Sequence, residues 1–317
     1  MLLAFDSVSL QDRHGRRRAM LGRSATGIAV VVVALGLSIG HVGATWSVVG
    51  ADAETGEVGV AIASCVPGEA LGALDAPLAP VVLVPGTGAA VTQAALNEGA
   101  GIELERAIAF GATAVEAIAA VSTLDFDPAF EERQHAVVLL DGDSSAFTGA
   151  ATLDATGHAT APFASAQGNL LADRQVVEDA LSAFERGEGS LADRLVAALV
   201  AGSEAGGDVR CPGQTALFAQ VAVAGPTDEA DAPSTLLTVT VDRGDDTNPV
   251  ARLAERHAAG ESVAVVDPEP GRPIRYRIVA AVGAGILVVG IVLRRRRRAA
   301  WRAAQETDRP SEPKDLS

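Results

Sequence analysis

The chain has 317 residues, with 25 basic and 40 acidic side chains and a formal net charge of −15. The charge is uneven: residues 45–271 hold nine basic and 34 acidic residues, a net of −25. Such a stretch repels nucleic acid and anionic surfaces, which excludes nucleic acid as a partner, and the length allows one large or two small domains.

Residues 1–44 open with Arg13, Arg16, Arg17, Arg18 and Arg23, followed by an apolar run from Gly27 to Ala44. A basic start, an apolar middle and small residues at Val42 and Ala44 predict a secretory signal peptide cut after Ala44. An 18-residue apolar run is also borderline spanning length, so an uncleaved anchor is the rival reading. A cut there would make Thr45 a free N-terminus.

The segment "TWSVVGA" from Thr45 reads as a strand, "DAETGE" as a turn and "EVGVAIAS" as the returning strand. "AAVTQAAL" (89–96) is a third strand. "IELERAIAFG" and "AVEAIAAVSTL" have helical spacing, the first closed by Gly111. "HAVVLLDGDSSAFTG" is a hairpin turning at Asp141-Gly142, and "PFASAQGNLL" is a strand running into a corner. Two helices follow, one from Asp173 to a stop at Gly187, the next opening at Ser190 with Asp193 three residues on, like a capping box. "QTALFAQVAVAG" and "STLLTVTVD" are strands, and "NPVARLAERHAAG" is a closing helix with Asn248 as cap and Pro249 at its first position. The order is β-β-β-α-α-β-β-β-α-α-β-β-α. Hairpins and helices come in pairs, which does not fit a doubly wound parallel sheet. An α+β fold with two antiparallel sheets packed together and helices on each outer face fits it.

A second apolar segment, Ile278–Leu293, is flanked by Tyr276 and Arg277 and by five arginines, Arg294–Arg298. It predicts a transmembrane helix over 276–294 whose basic end faces the cytoplasm. The expected organisation is a signal peptide (1–44), an outside domain (45–262), a stalk (263–275), the span and a polar cytoplasmic tail (295–317). The protein would then sit in the cell membrane with its main domain outside the cytoplasm. The two cysteines, Cys65 and Cys211, both lie in the exported part, where one disulfide is the simplest pairing. Free thiols or a metal pair are weaker alternatives. The five histidines are scattered, so no metal site and no cofactor is expected.

The stretches "WSVVGADAETGEVGVAIASC", "AAVTQA", "SAFTG", "AQGNLLA", "GSLADRLVAAL", "GGDVRC" with "GQTAL", and "NPVARL" resemble, in order, the DUF1028 family, whose members are assigned to the N-terminal-nucleophile (Ntn) hydrolase superfamily. The pairing of "ASC" with "DVRC" resembles an exported branch of that family with two cysteines. Many relatives have Ser where Thr215 stands, and "AALNEGAGIE" departs from the usual aromatic-rich pattern. The resemblance implies a four-layer αββα sandwich and amide-hydrolase ancestry, with no known substrate.

An Ntn hydrolase uses the side chain of its first residue as nucleophile and the free α-amine as base. That amine has a pKa near ~8, so it accepts a proton at working pH. Thr45 is therefore the candidate nucleophile, although a threonine also suits a strand. Asn169 and then Gln93 are candidate oxyanion donors, and Asp208 with Arg210 is a candidate ion pair orienting the amine. Asn169 as a turn residue, and Asp208–Arg210 as a structural pair, are the plainer alternatives. Two functions remain: a membrane-tethered amide hydrolase, or a non-catalytic Ntn-fold binding or structural surface domain. A cation-binding acidic coat is a third, without an EF-hand-like loop to support it. The expected partners are a small-molecule or peptide substrate and the lipid bilayer that holds the C-terminal helix; a homo-oligomer is left open.

Overall fold

A computed structural model describes residues 42–43, 45–67 and 79–261. The expected signal peptide apart from Val42 and Gly43, the stalk, the span and the tail lie outside these residues. Among the described residues no helix is long and apolar enough to cross a membrane.

The strands are β1 (Val42–Gly43), β2 (Thr45–Asp52), β3 (Glu57–Ser64), β4 (Val81–Val84), β5 (Gly88–Ala95), β6 (Arg133–Leu139), β7 (Ser144–Thr148), β8 (Gly157–Ala161), β9 (Ala164–Asn169), β10 (Phe218–Ala224) and β11 (Thr235–Thr240). The α-helices are α1 (Glu98–Ala109), α2 (Ala114–Val121), α3 (Gln175–Arg186), α4 (Leu191–Glu204) and α5 (Pro249–Ala258). One sheet has the order β11-β10-β3-β2-β9-β8. In the other, β6 lies between β5 and β7, and the far edge of β5 is shared by β4 and β1. Every pairing within these sheets is antiparallel.

Three apolar clusters hold these elements together. Val49, Ala51, Val60 and Ile62 of the first sheet meet Ala89, Val91, Ala136 and Val138 of the second. Alternate residues of the same strands point the other way, since side chains switch faces at each step. Trp46, Val48 and Ala61 pack under Phe184, Leu191, Leu195 and Leu199 of α3 and α4. Ala90, Val137 and Leu139 pack under Leu104 and Ile108 of α1 and Ile118 of α2. Strands buried on both faces explain why β2, β3 and β10 read as nearly continuous apolar runs. Each fully buried leucine or phenylalanine contributes about 1.5–3 kcal/mol. α4 approaches Trp46 at Gly202, where an added Cβ would come within 2.7 Å of the indole nitrogen.

The expected caps are present. Ser190 and Asp193 form a capping box at α4, and Asn248 accepts the backbone N–H groups of Val250 and Ala251 at α5. Helix α1 starts four residues earlier than its spacing suggests, capped by Asn97; Gly99 and Gly101 lower the helix propensity of that turn. β4 and β8 are strands the sequence reading did not name. β8 is "GHATA", a short outer strand with a half-exposed pattern, defined by its ladder to β9 rather than by propensity.

Candidate functional site

The face of each sheet that looks toward the other is apolar over most of its length and polar at one end. Thr45 is the first residue of β2, a central strand, paired with Ser64 on one side and Asn169 on the other. By strand alternation it shares a face with Ser47, Val49 and Ala51. Thr45 is 7% exposed and Asn169 is 0% exposed. Across the gap, Gln93 ends the inward row of β5 and Gln134 that of β6, where the two are register partners.

Buried amides join these residues. The Gln93 Nε2 donates to the Thr45 carbonyl at 3.3 Å and to Gln134 Oε1 at 3.1 Å, while its Oε1 accepts from Ser47 Oγ at 2.6 Å. Asn169 Nδ2 donates to the same Gln134 Oε1 at 3.1 Å. Gln134 Nε2 donates to the Gly168 carbonyl at 2.8 Å and Thr148 Oγ1 at 3.0 Å, which fixes which end of the amide points where. Gln167 Nε2 closes the layer on Ser47 Oγ at 2.6 Å. One atom stands out: Asn169 Oδ1 is buried with no hydrogen-bond partner among the described residues. An amide has two N–H groups and an oxygen. Asn169 spends one N–H on Gln134, so its second N–H and its oxygen are available beside Thr45.

Asp208 and Arg210 form the expected ion pair, Nη2 to Oδ2 at 2.8 Å, with the Asp208 carboxylate fully buried. Asp208 Oδ2 also accepts the Cys65 N–H at 2.8 Å, and Asp208 bridges Leu171. Cys65 follows Ser64, the register partner of Thr45. The pair therefore braces the strand ends on both sides of Thr45. Cys65 and Cys211 are joined in a disulfide, with Cα atoms 5.8 Å apart. The Thr215 carbonyl accepts the Asp208 N–H, and its Oγ1 is hydrogen-bonded to Ser203 Oγ at 2.7 Å and accepts from Asn248 Nδ2 at 3.2 Å. A serine hydroxyl would do the same work there.

Of the five non-glycine residues with positive φ among the described residues, three border this site: Ala94 (69°) follows Gln93, Leu170 (49°) follows Asn169, and Thr215 (63°) bonds Asp208. Such conformations cost about 1–3 kcal/mol each and persist where the surroundings fix them, which is frequent at functional sites.

Gln134, Gln167 and Ser47 were not singled out from the sequence. Ser47 and Gln134 are polar at inward positions that their strands continue with apolar residues, and Gln167 lies between Ser165 and Asn169 in a polar inward row; the alternation marks buried polar groups but not the partners they meet. His135 is different. It points to the helix side of β6, stacks on Phe147, and has no hydrogen-bond partner at either ring nitrogen among the described residues. Burial, helped by the nearby Arg133 charge, pushes its pKa down to about 4, so it is neutral at pH 7. Among the described residues no group of three His, Cys, Asp or Glu could hold a metal.

Two facing antiparallel sheets, with a threonine and buried amides at one end of the gap, define the class as an α+β domain with an inter-sheet site. Residues 45–253 match DUF1028, a family of unknown function, and the chain belongs to that family. The match opens at Thr45. No curated protein matches the chain. Among solved structures, the chain is similar to a DUF1028 protein of Silicibacter pomeroyi, known from a crystal structure, at 27% identity and a TM-score of 0.55, over 68% of this chain and 86% of that one.

Proposed function

We propose that the protein is an amide hydrolase of the N-terminal-nucleophile type, an αββα sandwich tethered to the outer face of the cytoplasmic membrane, with Thr45 as nucleophile once residues 1–44 are removed. The observation that carries this reading is the position of Thr45. It is the first residue of the family match and of a central strand, facing the second sheet and paired with an asparagine whose buried oxygen has no partner among the described residues.

In the mature chain the Thr45 hydroxyl attacks the carbonyl carbon of a substrate amide. Its proton passes to the Thr45 α-amine, and a C–O bond forms as the carbonyl oxygen becomes an oxyanion. The second N–H of Asn169 faces that charge, and Asn169 Oδ1 accepts an N–H of the protonated amine. The C–N bond then breaks, and the leaving amine takes the proton from the α-ammonium. Water, deprotonated by the α-amine, adds to the ester carbonyl; the C–Oγ bond breaks, Thr45 Oγ takes the proton back from the α-ammonium, and a carboxylic acid is released. Gln93 holds the Thr45 carbonyl, and Asp208–Arg210 hold the neighbouring strand end through Cys65. These are positioning roles. The acidic domain disfavours anionic substrates, so neutral or basic amides fit better.

The test is labelling of the membrane protein by an electrophile that bridges a hydroxyl and an adjacent amine, such as an epoxyketone. Thr45→Ala should abolish labelling and amide hydrolysis without unfolding the domain. Thr45→Ser should keep part of both. Unchanged labelling of Thr45→Ala would overturn the reading and leave a non-catalytic surface domain in its place.

A further inference from the structure

The uncut chain passes from one sheet to the other across a single residue. Val42 and Gly43 pair with Ala95 and Ala94 on β5, while Thr45 pairs with Ser64 and Asn169 in the opposite sheet. The same edge of β5 is covered from Gly88 to Val91 by β4. Removing residues 1–44 uncovers the part of the edge at Ala94–Ala95, next to the Gln93 that holds Thr45.

We propose that this vacated edge is the substrate seat: it binds the acyl half of a peptide as an extended strand antiparallel to β5, its last two paired residues opposite Ala95 and Ala94 and the scissile residue next in sequence. This rests on the catalytic reading of Thr45 above. Four observations support it. An extended peptide segment already occupies the seat in the uncut chain, so its shape and register fit. A freed sheet edge exposes backbone N–H and C=O groups that need partners, which an added strand supplies. Ala94, opposite Gly43, has φ 69°, so the edge has a fixed non-extended bend at the recognised position. The seat also has an end: the Ala95 carbonyl accepts Arg133 Nη1 at 2.7 Å, and Arg133 is itself held by Asp127 at 2.9 Å. The ladder therefore extends two residues before the scissile one, and the favoured substrate is a tripeptidyl or longer amide with compact, uncharged residues like Val-Gly-Ala.

The experiment compares two proteins in detergent, the full-length chain and a chain from Thr45 to Ser317 released from a fusion that leaves Thr45 first. The probes are acetyl-Val-Gly-Ala-aminomethylcoumarin, acetyl-Ala-aminomethylcoumarin, and two tripeptide analogues N-methylated at the Val or Gly nitrogen. The chain from Thr45 should cleave the tripeptide with kcat/KM about tenfold or more above acetyl-Ala, since a pair of backbone hydrogen bonds is worth about that much. Adjacent residue pairs in an antiparallel ladder alternate between bonded and non-bonded, so one N-methylation should cost about tenfold and the other much less. The full-length chain should cleave none. Binding of the uncharged amide acetyl-Val-Gly-Ala-NH2 is measured separately by calorimetry on Thr45→Ala in the chain from residue 45, where it should persist. It should be lost in a chain that begins at Gly40 and keeps its own segment on β5. Binding to Thr45→Ala with no turnover by the wild type would sink the catalytic reading and keep the seat. Equal turnover of all four probes, no binding to Thr45→Ala, or equal binding to the Gly40 chain would each overturn the seat.

Discussion

Gln134 joins both sheets at the end of the gap, and replacing it should cost more than any other single amide in the layer. Gln134→Leu keeps the approximate volume but removes the oxygen that accepts Gln93 Nε2 and Asn169 Nδ2, both at 3.1 Å. Each buried N–H left without an acceptor costs about 1–3 kcal/mol. The Gly168 carbonyl loses a donor but keeps Thr156 Oγ1 at 3.1 Å. The added apolar burial of leucine offsets part of the loss, so the net destabilisation should be about 2–4 kcal/mol. For a domain of this size that lowers Tm by roughly 5–15 °C. Gln134→Glu should be worse at pH 7, because a carboxylate would face the Gly168 carbonyl, and should recover as pH falls and the acid can donate. The assay is equilibrium unfolding in guanidinium and by heat, read by far-ultraviolet circular dichroism, with the exposed Gln175→Leu as control within ~0.5 kcal/mol. A Gln134→Leu loss under about 1 kcal/mol, or no pH dependence in Gln134→Glu, would refute a buried network held by the Gln134 amide.

Three further outcomes are expected. His135 has a folded pKa of about 4, below its unfolded value, so its contribution is intact above pH ~6.5 and is lost as pH falls toward 4, by roughly 3 kcal/mol; His135→Phe should flatten stability over that window, measured as guanidinium midpoints against pH. The Cys65–Cys211 bond closes a separation of 146 residues, and replacing both cysteines with alanine should cost about 2–5 kcal/mol, seen as a lower Tm, while non-reducing peptide maps of the wild type should recover the linked pair. Gly202→Ala should push α4 off Trp46 and destabilise by about 1–3 kcal/mol, with a shift in near-ultraviolet circular dichroism.

The pairing of hairpins and helices was legible because buried strands and capped helices leave strong local marks: Ser190 with Asp193, Asn248 with Pro249, Asp141-Gly142 between two runs. β4 and β8 were not, since four apolar residues and a "GHATA" segment carry no period of their own and exist through their neighbours. At the candidate site, Thr45, Asn169, Gln93, Asp208 and Arg210 stood out by residue type and position. Gln134, the residue that ties Gln93 to Asn169, did not. Its importance depends on strands β6 and β9 from opposite sheets meeting, a long-range fact no local pattern contains. The pairing of Gly43 with Ala94 is of the same kind.

The most direct measurement is the N-terminal residue of the mature protein recovered from the cells that make it, by Edman sequencing or intact mass. The account predicts a chain beginning Thr-Trp-Ser, with the α-amine of Thr45 free. A mature chain that retains residues 1–44, or begins at any other residue, would contradict it, because an acylated Thr45 nitrogen cannot accept the proton that the mechanism requires.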